Sequence, residues 1–279
     1  MNRKVLRSFF LGIVKLPAAA RNLFAQREII RILTWRDFQA RYRGSLAGLF
    51  WSIIQPLMTM TIYTLVFSSF LKVRFNSSDS PFTFAVYLLC GLLPWNNFAE
   101  GLAQSTTIIR SNSNLVKRVV FPLEILPLNL SMSGMIQQLI GLCLLLPLAL
   151  IVTGRLGLAL LFLPVLLVIQ LLLFTGINWI WASISVYIPD IRHATPALTM
   201  ILMFMTPILY PENVVPAWAS WIVQINPIAY LVRMMRGLIM DNSLPTLAEF
   251  GGASLVCLLV FMIGYSWFMH TKSTLVDFL

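Results

Sequence analysis

Charged residues are scarce in this chain of 279 residues. They make up 11% of the sequence, against 58% hydrophobic residues, and the mean hydropathy is +0.83. A soluble chain carries about 25% charged residues. This sequence instead contains apolar runs long enough to cross the hydrocarbon layer of a bilayer, which is roughly 30 Å thick. The composition therefore excludes an ordinary soluble domain and predicts a membrane protein with several spans.

Groups that commonly carry enzyme chemistry are also few. The chain has two histidines, His193 and His270, which are far apart in sequence, so we expect no catalytic residues and no metal site. It has no G-x-x-x-x-G-K phosphate loop, so any ATP and Mg²⁺ that drive the protein would be bound by another chain. The three cysteines, Cys90, Cys143 and Cys257, lie singly in apolar runs. We interpret them as buried hydrophobic residues and not as metal ligands or disulfide partners.

Positive charge is in excess. The net charge is +10, and ten of the twenty Lys and Arg residues lie at or before Arg43. These residues do not form a stripe on a soluble domain, so no nucleic-acid partner is expected. Residues 1–26 are predicted to form a basic arm on the cytoplasmic membrane surface, where anionic lipids attract Lys and Arg.

Six apolar runs predict an all-α polytopic membrane protein with six transmembrane helices. The predicted spans cover about residues 46–71, 82–109, 123–152, 158–188, 195–210 and 250–269. With both termini in the cytoplasm, the inner side carries fifteen Lys and Arg residues and the outer side carries five. This distribution agrees with the positive-inside rule. Residues 45–279 would form a single transmembrane domain.

The region 211–245 is apolar enough for a seventh span, which would place the C-terminus outside. However, Pro216 and Pro227 divide it, and Arg233 and Arg236 follow closely. The resulting pieces of roughly a dozen residues are too short to cross a bilayer. We therefore interpret the region as a re-entrant helical pair that enters one leaflet. The seventh span stays as the alternative.

Two cytoplasmic segments have amphipathic patterns. Residues 27–44 predict an interface helix with two apolar faces. The aromatic face consists of Trp35, Phe38 and Tyr42, and the aliphatic face of Ile29, Leu33 and Ala40. Such a helix could pack on lipid and on a second protein, and a simple membrane anchor is an equally good interpretation. The segment 110–122 contains a short amphipathic helix, which could lie on lipid or fit a groove in a soluble partner.

Polar residues recur at helical spacing inside two predicted spans. The first span carries Ser52, Gln55, Thr59 and Tyr63, and the second carries Asn97, Glu100, Gln104 and Thr107. Polar side chains in hydrocarbon normally face a partner helix or a water-filled path. Bonds between helices would explain each amide or hydroxyl alone, but the ionisable Glu100 favours a polar path. Rings such as Tyr87, Trp95 and Phe98 would suit a sugar, although each ring could belong to an interfacial belt.

Four stretches of the chain resemble the membrane subunit of polysaccharide-exporting ABC transporters, the group of O-antigen, capsule and teichoic acid permeases. They are "LTWRDFQARYRGSLAGLFWSIIQPL", "GLLPWNNFAEGL", "NLVKRVVFPLEILPL" and "TPILYPENVVPAW…INPIAYLVRMMRGL". The resemblance covers nearly the whole chain after about Arg27. It implies a homodimer in the inner membrane that pairs with two copies of a soluble ATP-binding subunit. That complex would export a lipid-linked polysaccharide from the cytoplasm.

The same resemblance implies roles for particular residues. The segment 110–122 would be a coupling helix in a cleft of the ATP-binding subunit, with contacts from Leu115, Lys117, Arg118, Val119 and Phe121. The path between two protomers would be lined by Gln55, Thr59, Tyr63, Tyr87, Trp95, Asn97, Phe98, Glu100 and Gln104. Arg41 and Arg43 would bind the pyrophosphate of a lipid carrier, because guanidinium groups pair with phosphate through two hydrogen bonds. The aromatic face of the interface helix would contact the membrane and its other face the ATP-binding subunit.

Three alternative functions would each leave different features in the sequence. Export of a drug-like or lipid small molecule by a related permease should prefer an apolar lining, which Asn97, Glu100 and Gln104 disfavour. A membrane-embedded glycan transferase would need charged residues grouped in a large external loop, and few are available there. A secondary transporter should show repeated halves, and no internal repeat is visible.

Overall fold

The described part of the chain is a bundle of helices. The computed structural model describes residue 21 and residues 24–70, 81–113 and 121–275, and within these ranges it contains no β-strand. The helices are α1 (Arg27–Ala40), α2 (Trp51–Thr64), α3 (Pro81–Ser111), α4 (Ile125–Thr153), α5 (Leu163–Tyr187), α6 (Ile191–Met205), α7 (Ser220–Ile225), α8 (Pro227–Arg236) and α9 (Leu247–Leu275). Short 3-10 helices cover Gly48–Phe50, Leu158–Phe162, Glu212–Val214 and Ala217–Ala219, and π-helical turns cover Leu65–Phe70 and Gly237–Asp241.

Four helical segments in the described ranges are long and apolar enough to cross a membrane. They are Phe82–Ser111, Ile125–Thr153, Leu158–Tyr187 and Leu247–Leu275. α2 continues into its π-helical turn, and α6 has 15 residues, which is short for a crossing of about 20 residues. The chain is thus a helical, multi-pass membrane protein, and the count of six spans stays a prediction. The basic arm 1–26 lies almost wholly outside the described residues.

α6 ends earlier than the span predicted over 195–210. Thr206 precedes Pro207, and a proline ring disfavours helical backbone in the residue before it. Thr206 accordingly has extended backbone, with φ −102° and ψ 130°. Residues 206–211 therefore cross the end of the bundle without a helix, and their carbonyl groups need donors from elsewhere.

The region 211–245 is divided at its prolines. Pro216 precedes a 3-10 turn, and Pro227 opens α8, where Asn226 caps the helix by accepting a hydrogen bond from Ile228 N at 3.0 Å. α7 has 6 residues and α8 has 10, so neither could cross a bilayer alone, which takes about 20 residues. Insertion of this pair into one leaflet stays a prediction.

α3 lies at the centre of the bundle. It contacts α4, α5, α6 and α8, and its Leu88, Leu89 and Leu102 are almost fully buried. A second apolar cluster lies at the end of the bundle that α1 covers. It joins α1, the start of α4, α5 and α9 around the buried rings of Trp179 and Phe268. These two clusters hold the side chains of the candidate sites in place.

The buried face of α1 differs from both predicted faces. Ile30, Leu33, Thr34 and Phe38 are buried, whereas Trp35 is 50% exposed. Thr34 Oγ1 donates a hydrogen bond to Asn129 Oδ1 of α4 at 2.6 Å, which fixes the rotation of α1. The rings of Trp35, Phe38 and Tyr42 do share one face, with neighbouring centroids 5.7 and 5.6 Å apart. The aromatic and aliphatic faces do not have separate partners, however, because Leu33 and Phe38 are both buried in this chain.

One of the three cysteines lies outside the core. Cys90 and Cys257 are buried, but Cys143 is exposed. Leu139 and Leu150 lie on the same face of α4 and are also exposed, at 44% and 45%. The prediction that all three cysteines are buried is wrong for Cys143. In a membrane chain, an apolar residue can face lipid as readily as protein, so hydropathy does not separate the two positions.

A close helix contact joins α5 and α9 through two glycines. A Cβ atom on Gly264 would overlap the carbonyl oxygen of Gly176, and one on Gly176 would lie 2.6 Å from Val260 O. Small residues allow helix backbones to approach in this way. The ring of Trp179 packs beside the contact, with its centroid 5.0 Å from that of Phe261 and 5.2 Å from that of Tyr265. α5 and α9 therefore form a tightly packed pair.

Adding a methyl group at Gly264 should separate α5 from α9. We expect Gly264→Ala to lower the free energy of unfolding by about 1–3 kcal/mol, the cost of overpacking a tight core. The measurement is the thermal unfolding midpoint of the purified protein in detergent. Gly251→Ala in α9 is the matched control, because no described atom lies within 4 Å of its added Cβ. Alanine favours helix over glycine by about 1 kcal/mol, so this control should keep or raise the stability. A Gly264→Ala variant as stable as the unaltered protein would contradict the close contact.

Candidate functional site

A polar cavity of about 530 Å³ lies between α2, α3 and α4, beside the end of α1. Its polar and charged lining residues are Arg41, Tyr42, Gln55, Thr59, Asn96, Asn97, Glu100, Gln137 and Gln138. Gln55 and Asn96 are exposed, so the cavity is open on their side, whereas Asn97 and Gln138 are buried and form its floor. Side chains that the sequence spreads over four segments thus surround one space.

An ion pair lies in the cavity wall next to α1. Arg41 Nη1 is 2.6 Å from Glu100 Oε2, and Arg41 Nη2 donates a hydrogen bond to Ser133 Oγ of α4 at 3.0 Å. Gln104 Nε2 donates to the other carboxylate oxygen, Glu100 Oε1, at 2.8 Å. The predicted carrier-binding residue Arg41 is therefore paired with the predicted path residue Glu100. Arg43 is exposed.

Tyr42 fixes the loop after α1 to α4. Its hydroxyl donates to Gln137 Oε1 at 2.6 Å, and Gln137 Nε2 donates to the backbone oxygen of Ser52 at 3.0 Å. Burial raises the pKa of Tyr42, against the opposing effect of the positive charge on Arg41. The hydroxyl therefore stays protonated at neutral pH and keeps its role as a donor. This chain of bonds ties the start of α2 to α4 and shapes the rim of the cavity.

Three amides extend inwards from the cavity floor. Asn97 Nδ2 donates to Gln138 Oε1 at 3.1 Å, and Gln138 and Gln170 exchange two hydrogen bonds of 3.0 and 2.5 Å. Asn97 Oδ1 has no hydrogen-bond partner among the described residues. It lies against Gly134, where a Cβ atom would overlap it. The floor is therefore a chain of amides that bond to one another, and the buried Asn97 Oδ1 faces Gly134 and not the cavity.

Some of the predicted path residues line the cavity wall, and others are buried in the apolar core of the bundle. Gln55, Thr59, Asn97 and Glu100 line the cavity, and Gln104 contacts Glu100. Successive residues of a helix point in directions about 100° apart, which explains why other predicted members do not share this face.

The aromatic members of the predicted path lie away from the cavity. Trp95 and Phe98 are buried at 4% and 3% exposure, and the ring of Phe98 packs 5.4 Å from that of Phe174. Tyr63 packs half-buried against the main apolar cluster, and Tyr87 lies near the other end of the bundle beside α8. The structure thus places these rings in packing contacts.

The predicted coupling segment is described only in part. The residues Leu115, Lys117, Arg118 and Val119 lie outside the described residues. Phe121 is half-buried and packs against the cluster around Trp179. The end of the segment is therefore held by the helical bundle itself.

A second charged cavity, of about 380 Å³, lies next to α8 and the start of α9. Arg233 forms two short contacts with Glu212, at 3.0 Å from Nε to Oε1 and 2.6 Å from Nη2 to Oε2, and Glu249 lies 3.9 Å away. The pair is about one-third exposed. These charges compensate one another, so the cavity wall needs no outside counter-charge at this point.

Arg236 is a buried cation whose partners are neutral oxygen atoms. It is 6% exposed, and its guanidinium lies 3.4 Å from the ring centroid of Tyr87. Nη1 donates to Tyr87 Oη and to Pro207 O, both at 2.7 Å, and Nη2 donates to Ile208 O at 2.9 Å. A buried charge is costly unless hydrogen bonds replace its water. Arg236 therefore ties α8 to α3 and to the non-helical stretch after α6.

Sequence reasoning assigned no such role to Arg236. The available signal was the Thr206–Pro207 break inside an apolar run. A helix that ends there leaves carbonyl groups without intrahelical partners, and an arginine that follows in the chain is a suitable donor.

Residues 28–240 match the ABC-2 type transporter family. The chain belongs to this family. This ABC-2 permease is 27% identical over 218 residues to the O-antigen export system permease protein RfbA of Klebsiella pneumoniae, with 78% of this chain and 82% of the relative covered. It is 28% identical over 227 residues to the O-antigen export system permease protein RfbA of Myxococcus xanthus, covering 81% and 85%.

A more distant relative aligns over more of the chain. The polysialic acid transport protein KpsM of Escherichia coli is 22% identical over 256 residues, with 90% of this chain and 96% of the relative covered. The resemblance to polysaccharide-exporting ABC permeases is therefore confirmed.

Replacing Arg236 should destabilise the permease far more than replacing Arg233 in the same helix. Arg236→Met leaves the buried oxygens of Pro207 and Ile208 without donors, and each unsatisfied acceptor costs about 1–3 kcal/mol. Arg233→Met removes a partly exposed ion pair, and such pairs contribute about 0.2–1 kcal/mol. Thermal unfolding in detergent compares the two variants. Equal midpoints would contradict the role given to Arg236.

Proposed function

We propose that this ABC-2 permease is the membrane subunit of an ATP-driven exporter. It moves a lipid-linked polysaccharide of the O-antigen or capsule type from the cytoplasm across the inner membrane. The observation that carries the proposal is the open polar cavity between α2, α3 and α4, with its amide floor. The relatives named for O-antigen export and polysialic acid transport support the same substrate class.

The cavity lining suits sugars because sugars present many hydroxyl groups and few charges. Gln55 and Thr59 on the wall offer both donors and acceptors to such groups. Residues of α2 on its other sides, such as Leu57 and Met58, are apolar and exposed. The amide of Gln55 and the hydroxyl of Thr59 thus face the cavity, as a path for a hydrophilic polymer through an apolar membrane requires.

A second copy of the chain would complete the path. The cavity is open on the side of Gln55 and Asn96, which are exposed at its rim. A homodimer that brings two such open sides together would enclose a polar channel between the protomers. Polar residues exposed at this depth would otherwise face hydrocarbon, which is costly.

The lipid carrier would bind where α1 meets the cavity. A pyrophosphate competes with Glu100 for Arg41, because guanidinium pairs with phosphate oxygens through two parallel hydrogen bonds. Glu100 would keep its hydrogen bond from Gln104 when Arg41 turns to the phosphate. The exposed Arg43, two residues further along, adds positive charge at this mouth of the cavity.

ATP and Mg²⁺ would be bound by a separate soluble subunit, present in two copies. Each copy would receive the segment 110–122 of one protomer, with Leu115 and Val119 in its cleft and Lys117 and Arg118 opposite acidic residues. Both termini of the permease would lie on this cytoplasmic side. α7 and α8 would close the outer end of the channel.

Two threonines of α2 offer a matched test of the path. Thr59 and Thr61 both donate to the carbonyl four residues earlier, at 3.0 and 2.8 Å, but Thr59 lines the cavity and Thr61 is exposed. Thr59→Val should lower polysaccharide export about two- to tenfold, which is the rate equivalent of one lost hydrogen bond. Thr61→Val should leave export unchanged. Surface polysaccharide on intact cells that produce equal amounts of each variant gives the measurement.

A different outcome would point to another substrate. If the permease exported a drug-like molecule or a lipid, Thr59→Val would keep transport, because a methyl group preserves an apolar contact. Equal export in the two valine variants would therefore contradict the polysaccharide path through this cavity.

A further inference from the structure

The segment 110–122 joins α3 to α4, yet both of its ends are anchored to α5. At its start, Arg110 Nη2 donates a hydrogen bond to Val186 O at 2.9 Å, near the end of α5. Just beyond its end, Trp179 Nε1 of α5 donates to Glu124 O at 2.8 Å, and Trp179 is fully buried. A force applied to the segment therefore acts on α5 at two points.

A partly buried ion pair joins α9 to this anchor. Lys272 Nζ lies 2.7 Å from Glu124 Oε2, and the Glu124 side chain is 8% exposed while that of Lys272 is 31% exposed. A carboxylate buried to this extent needs a cation or several donors to replace its water. Lys272 is in the last turn of α9, where the helix dipole also favours positive charge. The pair therefore fixes the start of α4 to the end of α9.

The residues around Glu124 leave little room for independent movement. Leu123 and Ile125, its two neighbours, are 2% and 0% exposed, and they belong to the same cluster as Phe268 and Leu275 of α9. α5 and α9 are themselves in backbone contact through Gly176 and Gly264. A displacement at Glu124 is thus shared by α5 and α9.

We propose that Glu124 and Lys272 are positioning residues that pass movement of the segment 110–122 to the α5–α9 pair. The inference rests on the proposed function, in which a separate ATP-binding subunit moves this segment. α5 also carries Gln170, which exchanges two hydrogen bonds with Gln138 at the cavity floor. A shift of α5 therefore reaches the floor of the substrate cavity through the side chains of α4.

The test compares export with ATP hydrolysis in the whole complex. The double variant Glu124→Gln/Lys272→Met removes both charges at once and leaves no buried charge unpaired. ATP hydrolysis is measured on the purified complex of permease and ATP-binding subunit in lipid nanodiscs. Export is measured on intact cells, whose surface polysaccharide is oxidised with periodate and labelled with a hydrazide fluorophore. The thermal unfolding midpoint and the amount of bound ATP-binding subunit report folding and assembly.

We expect surface polysaccharide per unit of ATP hydrolysis to fall by about fivefold or more, the lower end of typical coupling between sites. Folding and assembly should be kept. Lys272→Arg, which keeps the charge, should retain the ratio of the unaltered complex. Arg155→Met, which removes an exposed positive charge between α4 and α5, should retain it as well. Glu124→Asp, which shortens the side chain and keeps the charge, is the second variant and should lower the ratio partially.

Two results would overturn the inference. One is an unchanged ratio in both the double variant and Glu124→Asp. The other is a loss in Lys272→Arg equal to that in the double variant, because the ion pair would then not be the cause. If the unaltered permease placed polysaccharide on the surface without its ATP-binding subunit, the proposed function itself would fail. The two failures are therefore distinguishable.

Discussion

Hydrogen-bonding groups inside this bundle must find partners within the protein, because hydrocarbon offers none. Several polar side chains that the sequence places in apolar helices therefore link one helix to another. The amide chain from Asn97 to Gln170 joins α3, α4 and α5, and Arg236 joins α8 to α3 and to the end of α6. A chain with so few charges is held in register by these few polar contacts, while the apolar side chains supply bulk packing.

The polar links occur at both ends of the bundle and beside the cavity. Glu124 and Lys272 lie near the end that α1 covers, Arg41 and Glu100 flank the cavity, and Arg236 closes the opposite end of α3. α5 takes part in two of the links, since Trp179 holds Glu124 and Gln170 supports the cavity floor. A transport cycle that begins at the segment 110–122 would act on the cavity through this helix.

The sequence predicted the helical class, the polar spacing and the proline breaks, because each depends on local composition and periodicity. Gln55, Thr59, Asn97 and Glu100 do face one cavity. The rotation of α1 was not predictable from its own pattern, since a bond from Thr34 to Asn129, 95 positions later, decides it. The predictions that Cys143 is buried and that Trp95 lines the path are wrong for a related reason. Hydropathy does not distinguish lipid-facing, cavity-facing and core positions in a membrane helix. The role of Arg236 could be assigned only from the fold, because its acceptors lie after the end of another helix.

We propose above all that the chain takes part in exporting a lipid-linked polysaccharide from the cytoplasm. Depleting the permease and then locating the polymer in the same cells tests this claim most directly. Our account predicts that lipid-linked polymer accumulates in the cytoplasm while the cell surface loses its polysaccharide, and that the unaltered gene restores both. Unchanged surface polysaccharide after full depletion would contradict the account, and the polar residues of the cavity would then serve only to pack the helices.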